Sequence, residues 1–153
     1  ATYADIMKAL AEPKLKRYVI DDSQYLLVNA FFDRAKETGY QKFTDLALDF
    51  RNLIHAVNDR VPDDVIVYFL HHTEADAMGK IKAKTIGKML DEKLTIEGCF
   101  DIVLHCMADG ERHFFATQGK GLSTAKSPVG MFEPEINNDL AAVDKAIREY
   151  WQL

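Results

Sequence analysis

The stretch Val65-Ile-Val-Tyr-Phe-Leu-His-His-Thr-Glu74 decides the fold that we expect. Its first six residues are continuously apolar and rich in β-branched and aromatic side chains, a pattern that predicts a strand covered on both faces. Pro62-Asp63-Asp64, directly before it, is typical of a turn. The strand is predicted to end where the polar residues begin, at His71.

A second, shorter apolar run, Tyr18-Val-Ile-Asp-Asp22, ends in two acids and predicts another buried strand. Helical periodicity fills the interval between the two runs. It begins after Ser23, a good N-cap residue, and continues from Phe43 to Val57. A strand, two helices and a strand predict an α/β layer in which helices cover a largely parallel sheet.

The remaining segments carry weaker signals. Thr2 is predicted to cap a short first helix, and Asn138 is predicted to cap the last one. Residues 75–84 have lysines but no periodicity, which indicates a mobile loop before a short helix near residues 86–90. Asp109-Gly110, between two apolar runs, predicts a hairpin. With no repeat or linker, residues 1–153 are expected to form a single domain.

Composition narrows the classes of protein. The chain has 153 residues, of which 48% are hydrophobic and 28% charged, and this composition argues against disorder, collagen and coiled-coil arrays. A net charge of −5 argues against DNA binding through bulk electrostatics alone. No run approaches the roughly 18 apolar residues of a membrane span, and no secretory signal is recognisable. We therefore expect a soluble cytoplasmic protein with no membrane partner.

The sequence contains two polar clusters, Asp21-Asp22 and His71-His72-Thr73-Glu74. Both are expected at the carboxyl ends of parallel strands, where ligands bind in such sheets. Nucleotide hydrolases use acids at a strand end to hold magnesium through its waters and to orient the attacking water. This chemistry favours Asp21 and Asp22 as candidates. A histidine at the neighbouring strand end can donate a hydrogen bond to a γ-phosphate. An ordinary strand end, with Asp22 capping a helix, is the alternative.

Other readings of these residues stay open. His71, His72 and Glu74 suggest a metal site only weakly, because adjacent histidines on a strand point to opposite faces and cannot easily share one ion. A metal-dependent hydrolase that uses Asp21, Asp22 and His72 is a separate alternative. A cluster of lysines could meet a nucleotide phosphate, a neighbouring subunit or single-stranded nucleic acid, or it could be a solvated charge run. Its members are Lys80, Lys82, Lys84 and Lys88.

One absence limits the nucleotide hypothesis. Hydrolysis of a nucleoside triphosphate on this kind of sheet needs the Walker A motif G-x-x-x-x-G-K-[ST], whose backbone amides and lysine hold the phosphates. The printed sequence does not contain this motif. The acids are therefore expected to work with a phosphate-binding loop that these 153 residues do not include.

An ordered series of segments resembles a family of bacteriophage P-loop ATPases that are similar to RecA-type recombinases and serve phage DNA recombination and single-strand annealing. The segments are Tyr18-Val-Ile-Asp-Asp22, the helix pair to Val57, Val65-Ile-Val-Tyr-Phe-Leu-His-His-Thr-Glu74, Thr85-Ile-Gly-Lys-Met89, Thr117-Gln118, Ala125-Lys-Ser-Pro128, Gly130-Met-Phe132 and Asn138-Asp-Leu140. The resemblance covers nearly the whole chain, and the order of the segments is more specific than any one of them.

The resemblance implies roles for five residues. Asp21 matches the Walker B acid that positions magnesium through water, and Asp22 is the candidate for polarising the attacking water. His72 matches the sensor that faces the γ-phosphate. Lys84 and Lys88 fall where RecA-like proteins place DNA-contacting loops and subunit-bridging cations. The implied cofactors are ATP and magnesium.

The resemblance also implies a three-layer RecA-like P-loop core: a largely parallel sheet with a C-terminal hairpin, lacking its N-terminal Walker A unit. The missing segment would come from the same polypeptide or from a second chain. The intact protein would be an oligomeric ATPase that acts on single-stranded DNA, in the host cytoplasm if phage-encoded, while these residues alone would be inactive. The alternative is a non-catalytic α/β binding or assembly protein on the same scaffold.

Overall fold

The structure is a computed structural model that describes residues 1–92 and 94–153. The chain divides into two compact units. Unit 1 contains Ala1–His72 and Ala83–Cys99, and unit 2 contains Thr73–Lys82 and Phe100–Leu153. The helices and strands, in chain order, are α1 Tyr3–Ala11, β1 Arg17–Ile20, α2 Gln24–Asp33, α3 Gln41–Arg60, β2 Ile66–Phe69, β3 Thr73–Ala75, β4 Ile81–Ala83, α4 Lys88–Asp91, a 3-10 turn Ile96–Cys99, β5 His105–Asp109, β6 Arg112–Ala116, β7 Glu135–Asn137 and α5 Leu140–Trp151.

Helix α3 organises the core of unit 1. Its apolar residues recur at helical spacing and form a buried stripe, as the sequence predicts. Helices α1 and α2, α4 and the 3-10 turn all contact α3. The ring of Phe50 on α3 is fully buried and lies 6.5 Å from the ring of Phe69 on β2. Helix α3 is the longest described helix, yet no helix in the described ranges is both long and apolar enough to cross a membrane.

Strands β1 and β2 pair in parallel, with Arg17 opposite Ile66 and Ile20 opposite Phe69. Their pairing matches the predicted strand–helix–helix–strand order. All four residues of β2 are half-buried, which is less than the fully covered strand that its apolar run predicts. The sheet contains only these two strands in the part of the chain that the structure describes.

The expectation of a three-layer RecA-like core with a largely parallel sheet is therefore wrong. The described strands form one two-stranded parallel sheet and two separate small sheets, with the order β3-β4 in one and β5-β6-β7 in the other. The physical reason lies in the remaining strand-forming runs. Gly110, with φ of 60°, allows the tight turn that folds β6 back on β5. These strands then pair with each other instead of extending the parallel sheet.

Unit 2 is built on that hairpin. Strands β5 and β6 are antiparallel, with Asp109 opposite Arg112, and β7 pairs antiparallel with β6. Phe114 and Phe115 on β6 are buried, whereas most of β5 is exposed. The segment predicted to be a mobile loop instead contains the short strands β3 and β4, whose turn is closed by the Asp76 carboxylate accepting from the Lys80 amide at 2.9 Å.

Helix ends follow residue type only in part. Thr2 and Asp5 form a reciprocal capping box at the start of α1, as expected from Thr2. The last helix is capped by Asp139 and not by the predicted Asn138, because the Asp139 carboxylate accepts from the amide of Ala141 at 2.9 Å. Ser23 stands before α2 but makes no capping hydrogen bond. Its hydroxyl is used elsewhere, as described below.

Candidate functional site

The carboxyl ends of β1 and β2 lie side by side in unit 1, and backbone hydrogen bonds continue the pairing past both strands. The Leu70 amide donates to the Ile20 carbonyl at 3.0 Å, and the Ser23 amide donates to the Leu70 carbonyl at 2.8 Å. Residues 21–23 are therefore held next to residues 70–72. We call this edge of the sheet, formed by residues 21–23 and 70–72, the carboxyl edge.

Asp22 and His72 meet at the carboxyl edge. The Nε2 atom of His72 lies 2.8 Å from Oδ1 of Asp22, and both side chains are more than half exposed, at 54% and 58%. Asp22 has φ of 49°, a left-handed conformation that is uncommon for any residue but glycine. Backbone of this kind persists where its surroundings enforce it and is concentrated at functional sites. The strained turn directs the Asp22 carboxylate towards His72.

Asp21 lies beside this pair. Its Oδ1 accepts a hydrogen bond from the Asp22 amide at 3.0 Å, which fixes the carboxylate against the turn. Asp21 and Asp22 line a cleft of about 480 Å³. The other lining residues come from the chain start, α1, β1 and α2, and are Ala1, Ile6, Val19, Ile20, Tyr25, Leu26 and Asn29. The cleft is large enough for a small ligand.

His71 points the opposite way from His72, as strand alternation predicts. Its ring is mostly buried, and the ring of Phe50 lies 5.9 Å away. Nδ1 of His71 lies 2.8 Å from the hydroxyl of Ser23, and Nε2 lies 2.7 Å from the carbonyl oxygen of Lys84. The sequence assigns no role at the site to His71, and it predicts the Ser23 hydroxyl only as the cap of α2. Adjacent histidines at a strand end were the signal that one of them would turn inward.

Burial lowers the pKa of His71 below its ordinary value of 6.5, against a smaller opposing effect of its hydrogen bond to Lys84 and of the Glu97 carboxylate. The unfolded chain then binds a proton more readily than the folded chain. We expect the free energy of unfolding to fall as the pH drops below 6.5 and to level off below the folded pKa. Urea unfolding at about pH 7.5 and about pH 5.5 measures this loss.

The matched control for the pH effect is His71→Gln, which removes the titrating ring. The part of the loss that belongs to His71 should be absent from this variant. An equal fall in unfolding free energy in both proteins would show that other groups cause the pH dependence.

The structure ties Lys84 to the carboxyl edge through its main chain. The Lys84 amide donates to the His72 carbonyl at 2.8 Å, and the Lys84 carbonyl lies against His71 as described. The Lys84 side chain is exposed. Lys88 is also exposed and begins α4, and no described contact joins it to Asp22 or His72. Four of the five predicted site residues therefore belong to one neighbourhood, and Lys88 is not shown to join it.

The side chains at the carboxyl edge suit a magnesium ion that keeps several waters, but not a metal site built from three or more protein side chains. No group of three or more His, Cys, Asp or Glu side chains among the described residues could hold a metal ion. The metal-dependent hydrolase, which needs Asp21, Asp22 and His72 on one ion, is not supported by this geometry. Magnesium, however, keeps several waters and is commonly bound by one or two carboxylates together with substrate phosphates. Asp21 could take part in such a site.

The chain matches no family model, no curated protein sequence and no solved structure. The resemblance to phage P-loop ATPases is therefore a prediction from the sequence motifs alone. The geometry of the carboxyl edge is therefore the structural basis for a functional proposal.

Proposed function

We propose that the carboxyl edge is the part of an ATP-hydrolysing site that faces magnesium and the γ-phosphate, in a P-loop protein of phage DNA recombination or single-strand annealing. The observation that carries the proposal is the 2.8 Å contact between Asp22 and His72 at the ends of two adjacent parallel strands. Side chains far apart in the sequence meet where parallel sheets bind ligands.

The two acids divide the work. Asp21, which lines the cleft, would hold magnesium through a water molecule, and the bound magnesium would neutralise charge on the phosphates. Asp22 would accept a hydrogen bond from the attacking water through its second oxygen, since Oδ1 faces His72. The φ of 49° at Asp22 orients that carboxylate before any ligand arrives.

His72 can donate a hydrogen bond to a phosphate only when both of its ring nitrogens carry a proton. Its Nε2 carries the proton that it shares with Asp22, because a carboxylate only accepts hydrogen bonds. The other ring nitrogen, Nδ1, donates to a phosphate oxygen only when the ring takes a second proton. An imidazolium held by the Asp22 carboxylate would present that donor to the γ-phosphate and distinguish ATP from ADP.

The proposed function also needs a phosphate-binding loop, a homo-oligomer and a single-stranded DNA partner. A phosphate-binding loop, supplied by another segment of the polypeptide or by a second chain, is required because the sequence has no Walker A motif. A homo-oligomer and a single-stranded DNA partner are also predictions. The exposed Lys80 on the turn between β3 and β4 favours the DNA partner, because a cation there can meet a phosphate of the strand.

The test uses the full natural protein, of which these 153 residues are all or part. Asp21→Asn is expected to lower the rate of magnesium-dependent ATP hydrolysis by about 100-fold, because it removes charge from the metal-facing side. His72→Ala is expected to weaken binding of MgATP by about tenfold and to leave binding of MgADP nearly unchanged. Calorimetric titration with each nucleotide measures the difference.

The matched controls are Asp109→Asn and His113→Ala, exposed residues of the β5–β6 hairpin. Hydrolysis should not change in either. Unchanged hydrolysis in Asp21→Asn, or equal weakening of ATP and ADP in His72→Ala, would remove these residues from the mechanism. The same assay with added single-stranded or duplex oligonucleotide tests the partner, and stimulation by the single strand is expected. A protein that binds no nucleotide would leave the assembly protein as the better hypothesis.

A further inference from the structure

His71 links two segments that meet at the carboxyl edge. One ring nitrogen contacts the Ser23 hydroxyl at the start of α2, and the other contacts the Lys84 carbonyl. The next residue, His72, accepts the Lys84 amide hydrogen through its own carbonyl. The amide and the carbonyl of Lys84 are therefore held by the two histidines that follow β2.

The partners of the ring determine which nitrogen carries its proton. A carbonyl oxygen can only accept a hydrogen bond, so Nε2 of His71 must donate to Lys84. In the neutral ring Nδ1 then accepts, and the Ser23 hydroxyl donates to it. Ser23 is fully buried, so this hydroxyl has no access to water as an alternative partner.

The Ser23 hydroxyl has a second contact that keeps the link intact when the ring is charged. Its oxygen lies 3.0 Å from the Leu70 carbonyl. If His71 takes a second proton, the hydroxyl can turn to donate to Leu70 and accept from Nδ1 of the ring. The ring would therefore stay in place in either state. Glu97 and His72 are the neighbouring groups whose charges act on it.

We propose that His71 is a positioning residue: its Nε2–H tautomer, set by the Lys84 carbonyl and accommodated by the Ser23 hydroxyl, fixes the Lys84 main chain beside Asp22 and His72. The tie itself follows from the contacts and needs no ligand. Its consequence, a lysine held at a phosphate-facing edge, rests on the proposed function. The sequence predicts Lys84 at this site, but its pattern does not reveal the residue that holds Lys84 there.

The first measurement uses the unmodified protein. Nitrogen-15 spectra of the imidazole ring distinguish a protonated Nε2 from a protonated Nδ1. We expect the Nε2–H form for His71 at neutral pH. An Nδ1–H form would overturn the proposal, because Lys84 would then lose its donor. This result does not depend on whether any variant folds.

The second measurement is hydrogen exchange at the Lys84 amide. In His71→Phe, which keeps a ring against Phe50 but removes both hydrogen bonds, the Lys84 amide is expected to exchange about tenfold faster, with amides of α3 changed by less than about twofold. His71→Gln restores a donor for the Lys84 carbonyl and should recover most of the protection. Ser23→Ala removes only the hydroxyl, keeps the Lys84 contact and should fall between the two.

The control is His113→Phe, a change of the same kind at an exposed position on β6. It should leave Lys84 exchange unaltered. Unchanged Lys84 exchange in His71→Phe would overturn the positioning role. So would equal acceleration of Lys84 and α3 amides in both His71→Phe and His71→Gln, since that marks a general loss of stability.

Binding of MgATP separates this proposal from the proposed function. If Lys84 exchange responds as expected and no nucleotide binds, the positioning role stands and the nucleotide site fails. If MgATP binds with the expected dependence on His72 and His71→Phe leaves Lys84 exchange unchanged, the nucleotide site stands and the positioning role fails.

Discussion

Replacing Phe50 with alanine is expected to lower the free energy of unfolding of unit 1 by about 3 to 5 kcal/mol. The Phe50 ring is fully buried on α3 and meets the rings of Phe69 and His71. Its removal leaves a cavity between the helix and β2 that neighbouring side chains can fill only in part. Because domain stabilities are about 5 to 15 kcal/mol, this is a large share of the total. Urea unfolding followed by circular dichroism measures it.

Phe32→Ala provides the matched control, because the same atoms are removed from a side chain on α2 that is 66% exposed. We expect a loss below about 1 kcal/mol, which includes its edge contact with the ring of Phe31. Similar losses in the two variants would mean that α3 does not provide the core of unit 1. Because Phe50 supports His71, its loss should also disturb the carboxyl edge.

The second large effect is expected at Arg148 on α5. Its Nε donates to Oδ2 of Asp144 at 2.9 Å, and the Asp144 side chain is only 3% exposed. Arg148→Met keeps most of the apolar stem and removes the guanidinium, so the buried Asp144 carboxylate loses this ion pair. Such a loss costs about 3 kcal/mol. Thermal unfolding followed by the fluorescence of Trp151, the one tryptophan of the sequence, reports on the same helix.

The same helix offers a matched pair for comparison. Lys145 and Glu149 have the same spacing of four residues, but their atoms are 3.7 Å apart and their side chains are 76% and 67% exposed. Lys145→Met is expected to change stability by less than about 0.5 kcal/mol. Equal destabilisation by the two substitutions would show that burial of Asp144 does not set the strength of its ion pair.

Periodicity and residue type predicted the elements that depend on local chemistry. The apolar spacing in residues 43–57 identified α3, and the two apolar runs identified β1 and β2. Asp109-Gly110 identified the hairpin of unit 2, because an aspartate–glycine pair suits a tight turn between antiparallel strands. The meeting of Asp22 and His72 also followed, since parallel neighbours bring their carboxyl ends to one edge.

The sheet as a whole was not predictable in this way. Strand-forming residues indicate that a segment is extended, but they do not indicate which other strand it pairs with. Strands β3 and β4 are each only three residues long, too short for any alternation to show, so their lysines suggested a loop. The expected largely parallel sheet came from the order strand, helix, helix, strand and from the family resemblance, and neither of these states how many strands are available to extend the sheet.

The role of His71 was missed for a similar reason. Its strand is apolar on both faces, so the pattern does not tell which of the two histidines turns towards α3. Ser23 was predicted to cap α2 because serine favours that position. In the structure the Ser23 hydroxyl is buried, and it contacts the Leu70 carbonyl and His71 instead of capping α2. Residue type alone did not reveal these long-range partners.

The parallel pairing of β1 with β2 has a consequence for the order in which the protein folds. Arg17 lies opposite Ile66, so no rung of this ladder can form until the chain has closed a loop that contains two helices. Closing such a loop loses entropy before any contact compensates for it, whereas the turn at Gly110 joins β5 and β6 almost at once. We therefore expect the carboxyl edge to assemble late, after local structure elsewhere in the chain has formed.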